Sequence, residues 1–239
     1  MNGPVSQSLR EKGLQYRVIY GVEWNRLIQL ASTLEKDSTL ACALWKEDIR
    51  ECRLLALLLQ PADEFLEDMA EIWIEDMHYP EEAQYAVLAL FCRLPYAKRA
   101  MFQWIARQET MYQLCGYLLA ARLFMNESDN LVDDRSASEF LDQASSVLDT
   151  PHQALRSAVM NALNKYALLG EIETLRVERL LKPYQPCAKK NPPKPSRPVW
   201  SSPVISVLIG CGKLPNAMRF SRLFISLQNP LISIRYKRN

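Results

Sequence analysis

Apolar residues along the first three quarters of the chain recur at three- and four-residue steps and almost nowhere alternate, which predicts helices rather than strands. The clearest stretch is Leu44 to Leu59, LWKEDIRECRLLALLL, polar and charged at its start and almost wholly apolar from Leu54, as suits a helix packed on both sides. Lys46, Arg50 and Arg53 fall there at i, i+4 and i+7 and predict a basic edge on a buried helix. Before it, breaks place helices at Val5 to Lys12, closed by Gly13, at Trp24 to Leu34, and at Thr39 to Trp45, with Asp37 or Ser38 as N-cap and Asp48 opening the next. Pro61, Pro80, Pro95 and Pro151 suit first helical turns, where a missing N–H costs little. They divide the rest into Pro61 to Met77, Pro80 to Leu94, Pro95 to Arg107, Thr110 to Phe124, Ser136 to Leu148, Pro151 to Leu169 and Ile172 to Leu181. The polar interval Asn126 to Arg135, with Glu127, Asp129, Asp133 and Asp134, reads as an exposed loop.

Within these helices one pattern returns. Leu55-Ala56-Leu57 reappears as Leu88-Ala89-Leu90, as Leu119-Ala120-Ala121, and more faintly as Asn161-Ala162-Leu163, the central alanines standing 33, 31 and 42 residues apart. Two helices per unit at such a period is the mark of stacked HEAT-like hairpins, in which a small residue mid-helix lets neighbours approach. The expected fold class is all-α: an α-solenoid of HEAT-like helical hairpins, a superhelix over residues 1–182, followed by an irregular tail over 183–239. Trp24, Trp45, Trp73 and Trp104 read as core anchors between hairpins.

Charge sharpens that boundary. Residues 1–182 hold 19 basic and 27 acidic side chains, a net of −8, whereas 183–239 hold 10 basic and no acidic ones. Nine of the 14 prolines also fall in this tail, which is expected to be extended or poorly ordered and is assigned no fold. Six cysteines without a C-x-x-C pair favour a reducing, cytoplasmic setting. No apolar run approaches the roughly 20 residues of a membrane span, and no membrane partner is expected. Seven glycines argue against a Gly-rich α/β scaffold. His78 and His152 have no partner at zinc-ligand spacing, so neither metal nor cofactor is expected.

Ser8-Leu9-Arg10-Glu11-Lys12-Gly13-Leu14, Tyr20-Gly21-Val22, Ala43-Leu44-Trp45 and Ile49-Arg50-Glu51-Cys52-Arg53-Leu54-Leu55-Ala56 together carry a resemblance. With Trp73 before Ile74-Glu75-Asp76, and Trp104-Ile105-Ala106, they resemble the DNA alkylation repair enzymes of the AlkD type over about residues 5–182. The resemblance implies a HEAT-like solenoid whose concave basic face cradles duplex DNA, and removal of positively charged alkylpurines by cleavage of the N-glycosidic bond. A cationic base is already a good leaving group, so such an enzyme chiefly stabilises the oxocarbenium sugar with a carboxylate and aromatic faces. The family does this with a Trp and an Asp one helical turn apart and an Arg in the following hairpin. Here Met77 to Gln84 holds no Trp and no Asp at that spacing, and Thr110 to Gly116 holds no Arg. The catalytic residues are therefore left unknown, with Tyr79 and Glu82 as a substitute aromatic and carboxylate pair set against Glu81 and Glu82 as ordinary first-turn acids.

Phosphate contacts are expected from Lys46, Arg50 and Arg53, and from Lys98, Arg99 and Arg107 on later hairpins. The alternative is neutralisation by neighbours such as Glu47, Asp48 and Glu51. Two functions stay open: a duplex-DNA-binding alkylation repair protein that excises alkylpurines, and a non-catalytic HEAT-repeat scaffold for a protein or structured DNA.

Overall fold

The computed structural model describes residues 2–126 and 133–184, and these are almost entirely helical. Eleven α-helices follow in order: α1 Gly3–Glu11, α2 Trp24–Ser32, α3 Ser38–Trp45, α4 Arg50–Leu59, α5 Glu67–Glu75, α6 Pro80–Ala89, α7 Ala97–Ala106, α8 Thr110–Asn126, α9 Asp134–Val147, α10 Gln153–Ala167 and α11 Glu171–Leu181. Among the described residues the one β-type pairing is an isolated parallel bridge between Val18 and Ile49. The chain divides into two units, Met1–Val177 and Glu178–Asn239. Most of the second unit, and residues 127–132 of the expected acidic loop, lie outside the described residues, as do the expectations placed on them.

In the first unit α4, α6, α8 and α10 form one row, each touching the next, while α3 packs on α4, α7 on α8 and α9 on α10. This is the HEAT-like hairpin solenoid. Ala56, Ala89, Ala120 and Ala162 sit one on each helix of the row and all are buried. Gly116 on α8 shows how close the layers come: a Cβ there would lie 2.8 Å from the Ile105 backbone nitrogen of α7. An aromatic chain joins successive hairpins. Trp45 stacks on Trp73 at 4.4 Å, Trp73 meets Phe65 edge-on at 4.9 Å, and Phe91 meets Trp104 at 5.0 Å.

Several helix ends differ from the sequence expectation, each for a packing reason. Asp37 does cap α3, accepting from the Thr39 and Leu40 N–H groups. Pro61 does not open a helix. Residues 61–66 form a turn that drives Phe65 into the core, and α5 starts at Glu67. The Pro80 helix stops at Ala89, where Leu90 leaves helical geometry and Phe91 is fully buried on a short 3-10 turn. Asp48 lies before α4 and accepts from the Arg17 N–H instead of capping it. Lys46 is the C-cap of α3, so Lys46, Arg50 and Arg53 do not share one helix edge.

The segment between α1 and α2 is tied to the first turn of α4. Glu51 accepts backbone N–H groups from Tyr20, Gly21 and Val22 at 2.9, 2.9 and 3.2 Å. Gly21 has φ +73° and lies so close to α1 that a Cβ would stand 2.6 Å from the Asn2 carbonyl oxygen, so only glycine fits.

Candidate nucleic-acid interface

Arg50 and Arg53 are not a solvent-facing basic edge: only 5% and 6% of their surfaces are exposed. The Arg50 guanidinium grips Glu81 through two nitrogens, Nε at 3.0 Å and Nη2, while Nη1 reaches Glu51 at 3.2 Å and the Val22 carbonyl at 3.3 Å. Burial opposes its charge, but hydrogen bonding and attraction to Glu81, then to Glu51, outweigh this and raise its pKa above the ordinary arginine value. Arg53 donates to the Asp76 carboxylate at 3.0 Å and to the Asp76 carbonyl at 2.7 Å. Its Nε stands 2.6 Å from Glu82 Oε1, a charge contact without hydrogen-bond alignment. These two arginines join α4 to α5 and α6, and the phosphate role expected of them is corrected to an internal, structural one: they are buried and their donors go to carboxylates and backbone carbonyls.

The substitute pair Tyr79 and Glu82 is corrected likewise. Glu82 is fully buried at the third position of α6, where its second oxygen accepts from the His78 and Tyr79 N–H groups at 2.7 and 3.0 Å. Tyr79 receives the Gln15 N–H on its hydroxyl and packs on Tyr16 at 4.7 Å. The first-turn acid reading is the one the geometry supports.

The other expected contacts are on the surface. Lys46 is exposed at the end of α3. Lys98 and Arg99 occupy the first turn of α7, the helix end at which the macrodipole disfavours cations. Arg99 pairs with Glu67, and Arg107 at the far end of α7 pairs with Glu71 at 3.0 Å while lying over the Tyr112 ring at 4.9 Å. Both ion pairs join α5 to α7 and are largely solvated, so each contributes at most about 1 kcal/mol.

One grouping was not singled out in the sequence. Trp24, the first residue of α2, stacks on Tyr85 of α6 at 4.2 Å, and Glu81 lies one helical turn before Tyr85. Burial, then the Glu81 charge, pushes the Tyr85 hydroxyl above its ordinary pKa. An aromatic pair, a carboxylate and the Arg50 guanidinium are thus brought together. The i, i+4 spacing of Glu81 and Tyr85 was the available signal, but Trp24 is too distant in sequence to be joined to it.

The architecture is that of a HEAT-like repeat protein. The chain belongs to the DNA alkylation repair enzyme family, whose model matches residues 10–169. A similar solved structure is that of a new family of proteins related to the HEAT-like repeat DNA glycosylases with affinity for branched DNA structures. It superposes with a TM-score of 0.68 over 75% of this chain and 76% of that one, at 16% identity, a likeness of fold. Among curated protein sequences none matches.

Proposed function

We propose that this chain binds DNA as a member of the alkylation repair family, with Lys46, Lys98, Arg99 and Arg107 contacting backbone phosphates. The observation that carries the reading is the family match over residues 10–169, which takes in all four of these surface cations. Buried Arg50 and Arg53 are excluded from the contact set and hold the hairpins in register instead. Duplex DNA is the expected partner, and the branched-DNA affinity of the similar solved protein makes forked DNA the next substrate to try. The test is binding of a labelled duplex across a salt series. Affinity falling steeply with salt is expected, and salt-independent or absent binding overturns the reading.

Excision of alkylpurines is the second reading, favoured by the Glu81, Tyr85 and Trp24 grouping. A carboxylate beside stacked rings is the chemistry that steadies an oxocarbenium sugar. It ranks second because Arg50 already neutralises Glu81, which leaves little negative field for a developing cation. Incubation with duplex DNA carrying N7-methylguanine or N3-methyladenine, followed by assay of released base, decides it. Release that Glu81→Gln abolishes supports excision, and absence of release leaves a binding protein without chemistry.

A further inference from the structure

The helices α8 and α10, neighbours in the row, hold no Asp or Glu, although residues 1–182 as a whole carry a net charge of −8. Their charged side chains are Arg122, Arg156 and Lys165, and none of these cations has a carboxylate partner among the described residues. Arg122 is half-buried, and its Nε is shielded from water without a hydrogen-bond partner. Arg50 and Arg53 meet carboxylates where they are shielded; Arg122 does not. We infer that Arg122 is a phosphate contact for bound DNA, supplied from the row itself and distinct from the cations on α7 and at the end of α3. This contact rests on the DNA-binding reading.

The direction of the side chain follows from the packing of α8. Gly116 faces α7, where a Cβ would meet Ile105. Leu118, two residues on, is about 200° round the helix, and with Arg122 and Met125 at i+4 and i+7 it forms the less buried edge. Residues 119–121, 123 and 124 are buried, so Arg122 lies on the side of the row turned away from α7. A guanidinium does not lose its proton in a protein, so a partly desolvated one keeps its full charge. That charge is unmatched within the fold and costs free energy until an anion supplies the match. Two phosphate oxygens suit the guanidinium fork, and Arg156 and Lys165 on the adjoining helix add to the attraction.

The test uses the full chain, a labelled duplex across a salt series, and thermal melting of each free protein. Arg122→Met keeps the stem and removes the charge. No carboxylate loses a partner, so its melting temperature is expected to equal or exceed that of wild type. Its slope of log affinity against log salt is expected to fall by about 0.9, the value of one phosphate contact on duplex DNA. Arg122→Lys keeps the charge and is expected to keep the slope. An unchanged slope in Arg122→Met means that the stem only carries the charge to water, and overturns the contact while the DNA-binding reading stands. A lowered melting temperature reveals a counter-charge inside the fold and overturns it too, as does a slope that falls equally in Arg122→Lys. Failure of wild type to bind the duplex overturns the contact and the DNA-binding reading together.

Discussion

The Arg53 guanidinium lies 4.1 Å from the centroid of the Trp45 ring, and Trp73 stacks on that same indole nearly parallel, its centroid 4.4 Å away. The cation is thereby held between an aromatic column and the carboxylates of Asp76 and Glu82. Arg53→Ala removes the counter-charge of both acids, and buried Glu82 has no access to water with which to replace it. Urea denaturation of this variant is expected to show a loss of about 3–5 kcal/mol, the range for breaking a buried ion pair from one side. A loss below about 1 kcal/mol, the value of a surface pair, would show that the network contributes nothing special.

Tyr117 offers the opposite sign. It is fully buried in α8 against Phe140 at 6.1 Å, and among the described residues its hydroxyl has no hydrogen-bond partner. An unpaired buried hydroxyl carries its desolvation cost without return. Tyr117→Phe is expected to raise stability by about 1 kcal/mol. A destabilised variant would reveal a partner for the hydroxyl, such as a bound water.

The fold was largely legible because its signals are local. Four alanines at irregular spacing pointed to one row of helices, and Ala56, Ala89, Ala120 and Ala162 are each buried on successive members of it. Asp37 as a cap is likewise decided within four residues. The site was less legible because its chemistry is settled at a distance. Arg50 meets a carboxylate 31 residues away and Arg53 one 23 residues away, and no spacing rule within one helix distinguishes a cation matched by a later hairpin from one left for a phosphate. The early end of the Pro80 helix was hidden for the same reason, since burial of Phe91 is decided by its neighbours in space.

Alkaline stability follows from the same buried rings. Burial raises the hydroxyl pKa of Tyr16, Tyr112 and Tyr117; the Glu82 charge adds to it for Tyr16, and a hydrogen bond to Glu75 for Tyr112. In the unfolded chain each ionises near about pH 10. Above that pH the unfolded state loses protons that the folded state keeps, so the contribution of these tyrosines is constant below about pH 10 and is lost as pH rises further. The slope approaches about 1.4 kcal/mol per pH unit for each such tyrosine. Denaturation midpoints followed upward from about pH 9 should show this decline, and Tyr117→Phe should make it shallower. An unchanged slope in that variant would mean the hydroxyl titrates normally.

The corrected contact set makes a sharper prediction than the charge of the helices does. Each lost phosphate contact lowers the slope of log affinity against log salt by about 0.9 on duplex DNA. Lys46→Gln combined with Arg107→Gln is therefore expected to reduce that slope by about 1.8, uniformly over duplex sequences. Both side chains are exposed, and the Glu71 partner of Arg107 is itself solvated, so the double variant should fold normally. Arg50→Gln is the matched control: it removes one buried cation whose donors go to Glu81, Glu51 and a carbonyl, and should lower stability without altering the salt slope. If the slope moved with Arg50 and not with the surface pair, the phosphate path would run along α4 after all, and the buried network would have to open on binding.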